Sequence, residues 1–259
     1  MMANTENILT SRDGDLAILT LNAPERLNAL SYDMLTALPR LIDGAARDGA
    51  RALVITGAGC GFCSGAALTG ERAGRDLGEV AERYYNPLAQ ALAESRLPVV
   101  TAINGVAAGA GASLALAGDI AVAARSASFM LAFARIGLVP DMASTWLVAK
   151  SVGRAKALEM ALLGDKLLAP DALAAGLINR IVDDEALMDE SLAIARRLAA
   201  MPPLTLRMIR RQVRAALDDG FDATLTMERD HQSAAGFTRD HQEGVAAFRE
   251  KRPAMFIGE

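Results

Sequence analysis

The sequence predicts an α/β fold in which strands, tight turns and helices alternate, followed by a helical C-terminal region. Three observations carry this expectation. Short aliphatic runs at residues 16–21, 51–56 and 99–103 are each closed by a turn rich in Gly, Asn or Pro. Beyond about Asp183 such runs give way to three stretches of helical periodicity, parted by Pro202-Pro203 and Asp218-Asp219-Gly220. Finally, 52% of the 259 residues are hydrophobic but only 4% aromatic, and 22 are Gly. Such a core is built from Ala, Leu, Val, Ile and Met around close backbone contacts. Composition alone leaves α/β and α+β open. The length fits one large domain or a core with a smaller appendage, here 1–183 and 184–259.

In chain order, Met1-Met2-Ala3-Asn4 offers no basic stretch ahead of an apolar one, so a cytoplasmic protein without a secretion signal is expected. The strand 16–21 ends at Asn22-Ala23-Pro24, and Ser31 is placed to cap a helix with Met34, Leu35, Leu38 and Leu41 on one face. Strand 51–56 stops at Gly57-Ala58-Gly59-Cys60-Gly61. A polar stretch leads to a helix holding Tyr84 and Tyr85, and then to strand 99–103. Residues 97–124 carry one formal charge, Asp119, and are long enough to span a membrane. Pro98, Asn104, Gly105, Gly109, Gly111 and Gly118 instead divide them into strand, turn, short helix and strand. Near the C-terminus, Met188, Leu192, Ala195 and Leu198 form an apolar stripe. Arg207, Arg210, Arg211 and Arg214 form a basic one, expected to face solvent or another subunit.

Several chemistries are disfavoured. A net charge of −4 and a pI near 5.4 argue against a nucleic-acid partner. Cys60 and Cys63 match C-x-x-C, but zinc wants four ligands and the two histidines, His231 and His241, are distant. Free thiols and no metal are expected. The glycines at 57, 59 and 61 and at 105, 109 and 111 do not complete a dinucleotide fingerprint, since Phe62 and Leu114 take its last position. What the two turns share is the delivery of small residues, Ser64-Gly65-Ala66-Ala67 and Ala108-Gly109-Ala110-Gly111, into an expected helix start. Unpaired backbone N–H groups there can converge on one oxygen as an oxyanion hole. Small residues for tight strand–helix packing explain the same pattern.

The run from Ala52 through Thr56-Gly57-Ala58-Gly59 to Ser64-Gly65 resembles the enoyl-CoA hydratase/isomerase (crotonase) superfamily. So do Pro24-Glu25-Arg26-Leu27-Asn28-Ala29-Leu30, the segment 102–111, and Glu243-Gly244-Val245-Ala246-Ala247-Phe248 with Lys251-Arg252-Pro253. Within it, Arg83-Tyr84-Tyr85-Asn86-Pro87-Leu88, Gly137-Leu138-Val139-Pro140-Asp141 and Thr145-Trp146-Leu147 resemble the ring-epoxide isomerases of phenylacetyl-CoA breakdown. The resemblance implies a crotonase-like spiral of ββα units and a C-terminal helical trimerisation region, as homotrimer or dimer of trimers. It implies an acyl-CoA thioester substrate, with CoA entering as part of the substrate and no separate cofactor. By matching positions, the N–H groups of Ala66 and Ala110 form the oxyanion hole. Arg26, Ala29, Ser64, Gly65, Leu68, Gly109, Lys251 and Phe256 contact CoA or substrate.

Hydratases of this family use two glutamates, and the matching positions here are Ser113 and Phe133. Asp141 matches the single acid of the isomerases, and its expected neighbours are Val139, Met142 and Trp146. Asp119, after Gly118, reads instead as a cap or ion-pair partner. Three positions depart from the pattern: Ala67 stands where an Asp is usual, and Ala143 and Ser144 replace two glycines. The expected function is therefore double-bond or ring-epoxide isomerisation. The alternatives are hydration through a different acid, or acyl-CoA binding without turnover.

Overall fold

The computed structural model describes residues 7–67 and 76–259. It opens with an antiparallel hairpin, β1 (Ile8–Asp13) and β2 (Leu16–Leu21), in register from Ile8 opposite Leu21 to Asp13 opposite Leu16. The chain then crosses through helix α1 (Tyr32–Arg47) and returns as β3 (Ala52–Gly57), parallel to β2. Ser31 caps α1 as expected, its Oγ accepting from the Met34 N–H at 3.3 Å. Met34, Leu35, Leu38 and Ile42 are buried on the core face.

Each following turn of the chain repeats one plan. A short strand leaves the first sheet, and a helix leads back to it. Strand β4 (Gly61–Cys63) follows β3. The helical segment α2 (Leu77–Val80), a π-helical turn at Ala81–Tyr85 and α3 (Asn86–Ala93) then lead to β5 (Val99–Ile103). Strand β6 (Val106–Ala108) runs into α4 (Ala110–Leu116), which leads to β7 (Ile120–Ala124) and β8 (Ser128–Met130). After α5 (Ser144–Leu163) come β9 (Leu167–Leu168), α6 (Ala169–Ala174) and β10 (Arg180–Val182). Among the described residues this yields a six-stranded sheet ordered β1-β2-β3-β5-β7-β10 and a four-stranded sheet ordered β4-β6-β8-β9. The result is a spiral of ββα units.

Central parallel strands are covered on both faces, which is why β3 and β5 read as unbroken apolar runs rather than alternating ones. Their threonines are satisfied internally. Thr56 Oγ1 donates to the Ala102 carbonyl at 2.8 Å, and Thr101 Oγ1 to that of Ala115 at 2.7 Å. The core does not stop at residue 183. Helix α7 (Leu187–Ala199) packs across β2, β3, β5 and β7, placing Leu187, Ile194, Ala195 and Ala199 in the same apolar cluster.

The C-terminal region departs from the sequence expectation at two points. It continues beyond α7 as α8 (Pro203–Ala216), α9 (Phe221–Gly236) and α10 (Arg239–Glu250), so the third expected stretch is two helices. The break was signalled by Gly236 and by Thr238, whose Oγ1 caps α10 by accepting from the His241 N–H at 3.0 Å. The basic stripe on α8 is also divided. Arg210 turns inward, its Nε 2.7 Å from Asp119 Oδ1 and its Nη atoms donating to the carbonyls of Ser95 and Leu92. Asp119 Oδ2 accepts from the Val99 N–H at 2.7 Å. Burial pushes this carboxyl above its ordinary range, and the Arg210 charge opposes the shift. Asp119 is thus an anchor between α8 and the sheet. Among the described residues no helix is long and apolar enough to cross a membrane.

Candidate functional site

Two turns meet at the edge of the second sheet. The first is held by the segment before α1. There a 3-10 turn at Pro24–Arg26 is followed by Leu27 and Asn28 with φ of 50° and 56°. The fully buried Asn28 side chain fixes this shape. Its Oδ1 accepts from the Ala23 N–H at 2.8 Å, and its Nδ2 donates to the carbonyls of Ala58 and Gly61 at 2.9 and 2.8 Å. Ser64 is tied to the same turn. Its N–H donates to the Leu27 carbonyl at 2.8 Å and its Oγ to that of Arg26 at 3.0 Å.

The following residues form an isolated parallel bridge between Leu30 and Ala66. The Leu30 N–H donates to the Gly65 carbonyl at 2.7 Å, and the Ala67 N–H to the Leu30 carbonyl at 3.0 Å. In parallel pairing the bonds to Leu30 come from the residues flanking Ala66, so the Ala66 N–H points away from the bridge. It has no acceptor among the described residues. The sequence led both turns into helices. The second does so at Ala110; the first is described only as far as Ala67, with Ala66 in the bridge.

The second turn joins β6 to α4 through Gly109, with φ 53° and ψ −128°. Ala110 is the first helical residue, so its N–H has no partner within the helix. The turns touch at Gly65, whose φ is +101°. A Cβ there would lie 2.7 Å from the Ala108 carbonyl oxygen and 3.6 Å from the Ala110 nitrogen. A Cβ on Gly111 would collide with the Cys63 carbonyl. Absent side chains therefore let the two candidate donors approach each other, as the composition suggested.

Asp141 lies in the loop before α5. It is half-buried. Its main-chain carbonyl accepts from Ser113 Oγ at 3.2 Å, from Ser144 Oγ at 2.8 Å and from the Ser144 N–H at 3.0 Å. Ser113 lies in α4 one turn beyond Ala110, so the acid loop is tied to the helix that presents the second donor. Met142 is buried, but Val139 is 78% exposed and does not form the apolar wall expected for the acid. The Trp146 Nε1 donates to Asp218 Oδ2 at 2.8 Å. Phe133 is buried, and its ring tip lies 3.9 Å from the Cβ position of Gly109.

The remaining candidates separate into groups. Arg26, Ala29, Ser64, Gly65, Ala66, Gly109 and Ala110 belong to the two linked turns. Arg26 is largely exposed, 3.6 Å from Glu25, and donates to Asn7 Oδ1 at 3.2 Å. Leu68 lies outside the described residues. Lys251 ends α10 at a φ of 54°, and Phe256 packs over Gly244 of α10. No hydrogen bond among the described residues joins either to Arg26, Ala66 or Ala110. Cys60 is exposed and Cys63 buried. Burial pushes the Cys63 thiol up to about 12, a poor nucleophile or ligand. A cavity of about 870 Å³ adjoins the acid loop at Met142 and Ala143 and reaches Ile209 and Val213 of α8, but its lining includes neither candidate donor nor Asp141.

Sequence reasoning did not single out Asn28 for its structural role, nor Ser113 and Ser144 as partners of Asp141. Asn28 sits in a quoted motif, but only its burial shows what its amide bonds. An aromatic pair was also unforeseen. Tyr32, two residues beyond the bridge at Leu30, stacks on Tyr84 with centroids 4.3 Å apart. Tyr84 lies in the π-helical turn, with the Arg83 guanidinium 5.5 Å from its ring centroid.

Comparison with known proteins agrees with this architecture. The family model described as enoyl-CoA hydratase/isomerase matches residues 11–259. The chain is 45% identical to 1,2-epoxyphenylacetyl-CoA isomerase of Escherichia coli K12, over 98% of this chain and 99% of that protein. It is 32% identical to 2,3-dehydroadipyl-CoA hydratase of the same organism, over 97% and 98%. The crystal structure of enoyl-CoA hydratase from Bacillus anthracis superposes with a TM-score of 0.92 at 29% identity, covering 98% of this chain and 100% of that one. With a ββα spiral and a whole-chain match, the protein belongs to the enoyl-CoA hydratase/isomerase family.

Proposed function

We propose that the protein is an acyl-CoA isomerase that moves a double bond, or rearranges a ring epoxide, through an enolate of the thioester. The observation that carries this reading is the junction of the Ala66 and Ala110 turns, with the Asp141 loop hydrogen-bonded to the helix beginning at Ala110. A thioester carbonyl accepting from both N–H groups would hold the negative charge that appears when the α-proton leaves. Each such donor is worth about 10²–10³ in kcat.

For a 3-enoyl-CoA the chemistry balances with one carboxylate. Asp141 takes a proton from C2, and the C–H electrons delocalise into a dienolate whose oxygen rests on Ala66 and Ala110. The electrons then return through C4, which takes the proton back from Asp141, leaving the double bond at C2–C3. No electron acceptor or water is consumed, so no separate cofactor is called for. Ser113 and Phe133, one a hydroxyl and one a buried ring beside Gly109, supply no second acid, which favours isomerisation over hydration. The similarity to an epoxyphenylacetyl-CoA isomerase supports the same choice.

Arg26, Ala29, Ser64, Gly65, Leu68 and Gly109 are assigned to the CoA and thioester contacts. Lys251 and Phe256 join them in an assembled trimer or dimer of trimers in the cytoplasm. The exposure of Phe237 and Phe248, both 86%, supports such an assembly. A screen of 3-enoyl-CoA esters, aliphatic and aromatic, followed by absorbance of the conjugated product tests this function. Turnover is expected with at least one ester. Formation of 3-hydroxyacyl-CoA in its place would sink the isomerase reading.

A further inference from the structure

Two serine hydroxyls from different helices converge on the backbone of one residue. Ser113, in α4, and Ser144, the first residue of α5, are both fully buried. Their Oγ atoms lie 3.2 and 2.8 Å from the same acceptor, the carbonyl oxygen of Asp141. Ser113 Oγ is also 3.4 Å from the Gly109 carbonyl, four residues back in its own chain. A serine bonding only its own helix at that spacing would be ordinary. Here the same hydroxyl lies between the turn that presents the Ala110 N–H and the loop that carries the acid.

The Asp141 loop needs such support. Met142 and Ala143, directly after the acid, hold φ of 50° and 59°, a left-handed conformation that side chains disfavour. Two successive residues of this kind form a strained link that relaxes unless neighbouring contacts over-determine it. Besides the burial of Met142, the contacts that do so include the three bonds to the Asp141 carbonyl, two of them from buried hydroxyls that have no water to turn to.

We infer that Ser113 and Ser144 are positioning residues. Together they fix the Asp141 main chain against α4, so that the carboxylate and the two backbone donors keep one spacing through the proton shift. This inference rests on the isomerase reading and on Asp141 as its base. Ser113 acts as the strut between acid and donor turn, and Ser144 holds the strained link from the other side. In this role neither hydroxyl exchanges a proton with the substrate. Their effect is carried through where the acid stands, and a misplacement of about 1 Å can cost 10²-fold in rate.

The test compares Ser113→Ala, Ser144→Ala, the double variant and Asp141→Asn with the parent protein, using the 3-enoyl-CoA ester that the parent isomerises. Each alanine variant is expected to lower kcat about tenfold or more with KM within about twofold. It should also change the ratio of C2 proton exchange to completed isomerisation, because a displaced acid reaches C2 and C4 unequally. Ser144→Thr, which keeps a hydroxyl, should restore most of the rate. Thermal unfolding of each variant separates this from loss of fold, which would reduce exchange and isomerisation in equal proportion. If Asp141→Asn is inactive while both alanine variants keep the parental kcat and ratio, the positioning role is wrong and the isomerase reading stands. If Asp141→Asn turns over like the parent, both fall.

Discussion

Replacing Gly65 with alanine perturbs the contact on which both turns depend. At φ +101° an alanine is outside its allowed regions, which costs about 1–3 kcal/mol. Its Cβ would stand 2.7 Å from the Ala108 carbonyl oxygen. That atom belongs to the backbone entering Gly109, so the two turns must separate. Adding an overpacking cost of about 1–3 kcal/mol brings the expected loss to roughly 2–5 kcal/mol, although strain and clash relieve one another in part. For a chain of this length, ~2–4 °C per kcal/mol places the melting temperature roughly 4–20 °C lower. Urea unfolding reads the stability, and exchange of the α-proton of a saturated acyl-CoA, followed by NMR in D₂O, reads the site. With the Ala66 N–H displaced, exchange should fall about 10²–10³-fold even where the variant is fully folded. A Gly65→Ala protein that melts with the parent and exchanges at the parental rate would refute the reasoning about this junction.

Other expectations follow from the same geometry. Ala143→Gly relieves a left-handed alanine at the start of α5, an exposed position, and should stabilise the protein by about 0.5–1 kcal/mol in urea titration. The native protein should react with a bulky thiol reagent at Cys60 alone, and at both cysteines only after denaturation, given the buried Cys63 thiol at about 12. The Arg252 side chain, and then the Met255 N–H, hold the Glu243 carboxyl at about 2. Because this value is depressed in the folded state, the contribution of Glu243 is present above its ordinary value near 4.5. It is lost as pH falls from there towards 2. Glu243→Gln should flatten the stability-against-pH curve in that window, as measured by urea midpoints at successive pH values.

The strands and the first helix were legible because their signals are local. β5 fell at residues 99–103 as read, and Ser31 with Met34, Leu35 and Leu38 announced both the cap and the buried face of α1. The divided character of the α8 stripe was not legible, since Arg207 and Arg210 look alike until Asp119 is brought beneath one of them by the sheet. The Ala66 N–H was anticipated from a turn of small residues, but the contact that orients it was not legible. Its orientation is set by a bridge to Leu30, thirty-six positions away. Val139 misled because an apolar residue beside a candidate acid suggests a wall, while its exposure depends on how the loop before α5 turns. Ser113 and Ser144 looked like departures from a pattern, and only their convergence on one carbonyl gives them a shared explanation.

The central claim is that one carboxylate, Asp141, carries the proton from C2 to C4 of an enolate held by Ala66 and Ala110. Its most direct test is turnover of a 3-enoyl-CoA dideuterated at C2, with the position of the label in the 2-enoyl product read by NMR and mass spectrometry. A single shuttling acid predicts that part of the deuterium lost from C2 appears at C4, and that Asp141→Asn gives neither product nor label transfer. Full turnover with C4 protonated wholly from solvent, or transfer that survives in Asp141→Asn, would contradict the account.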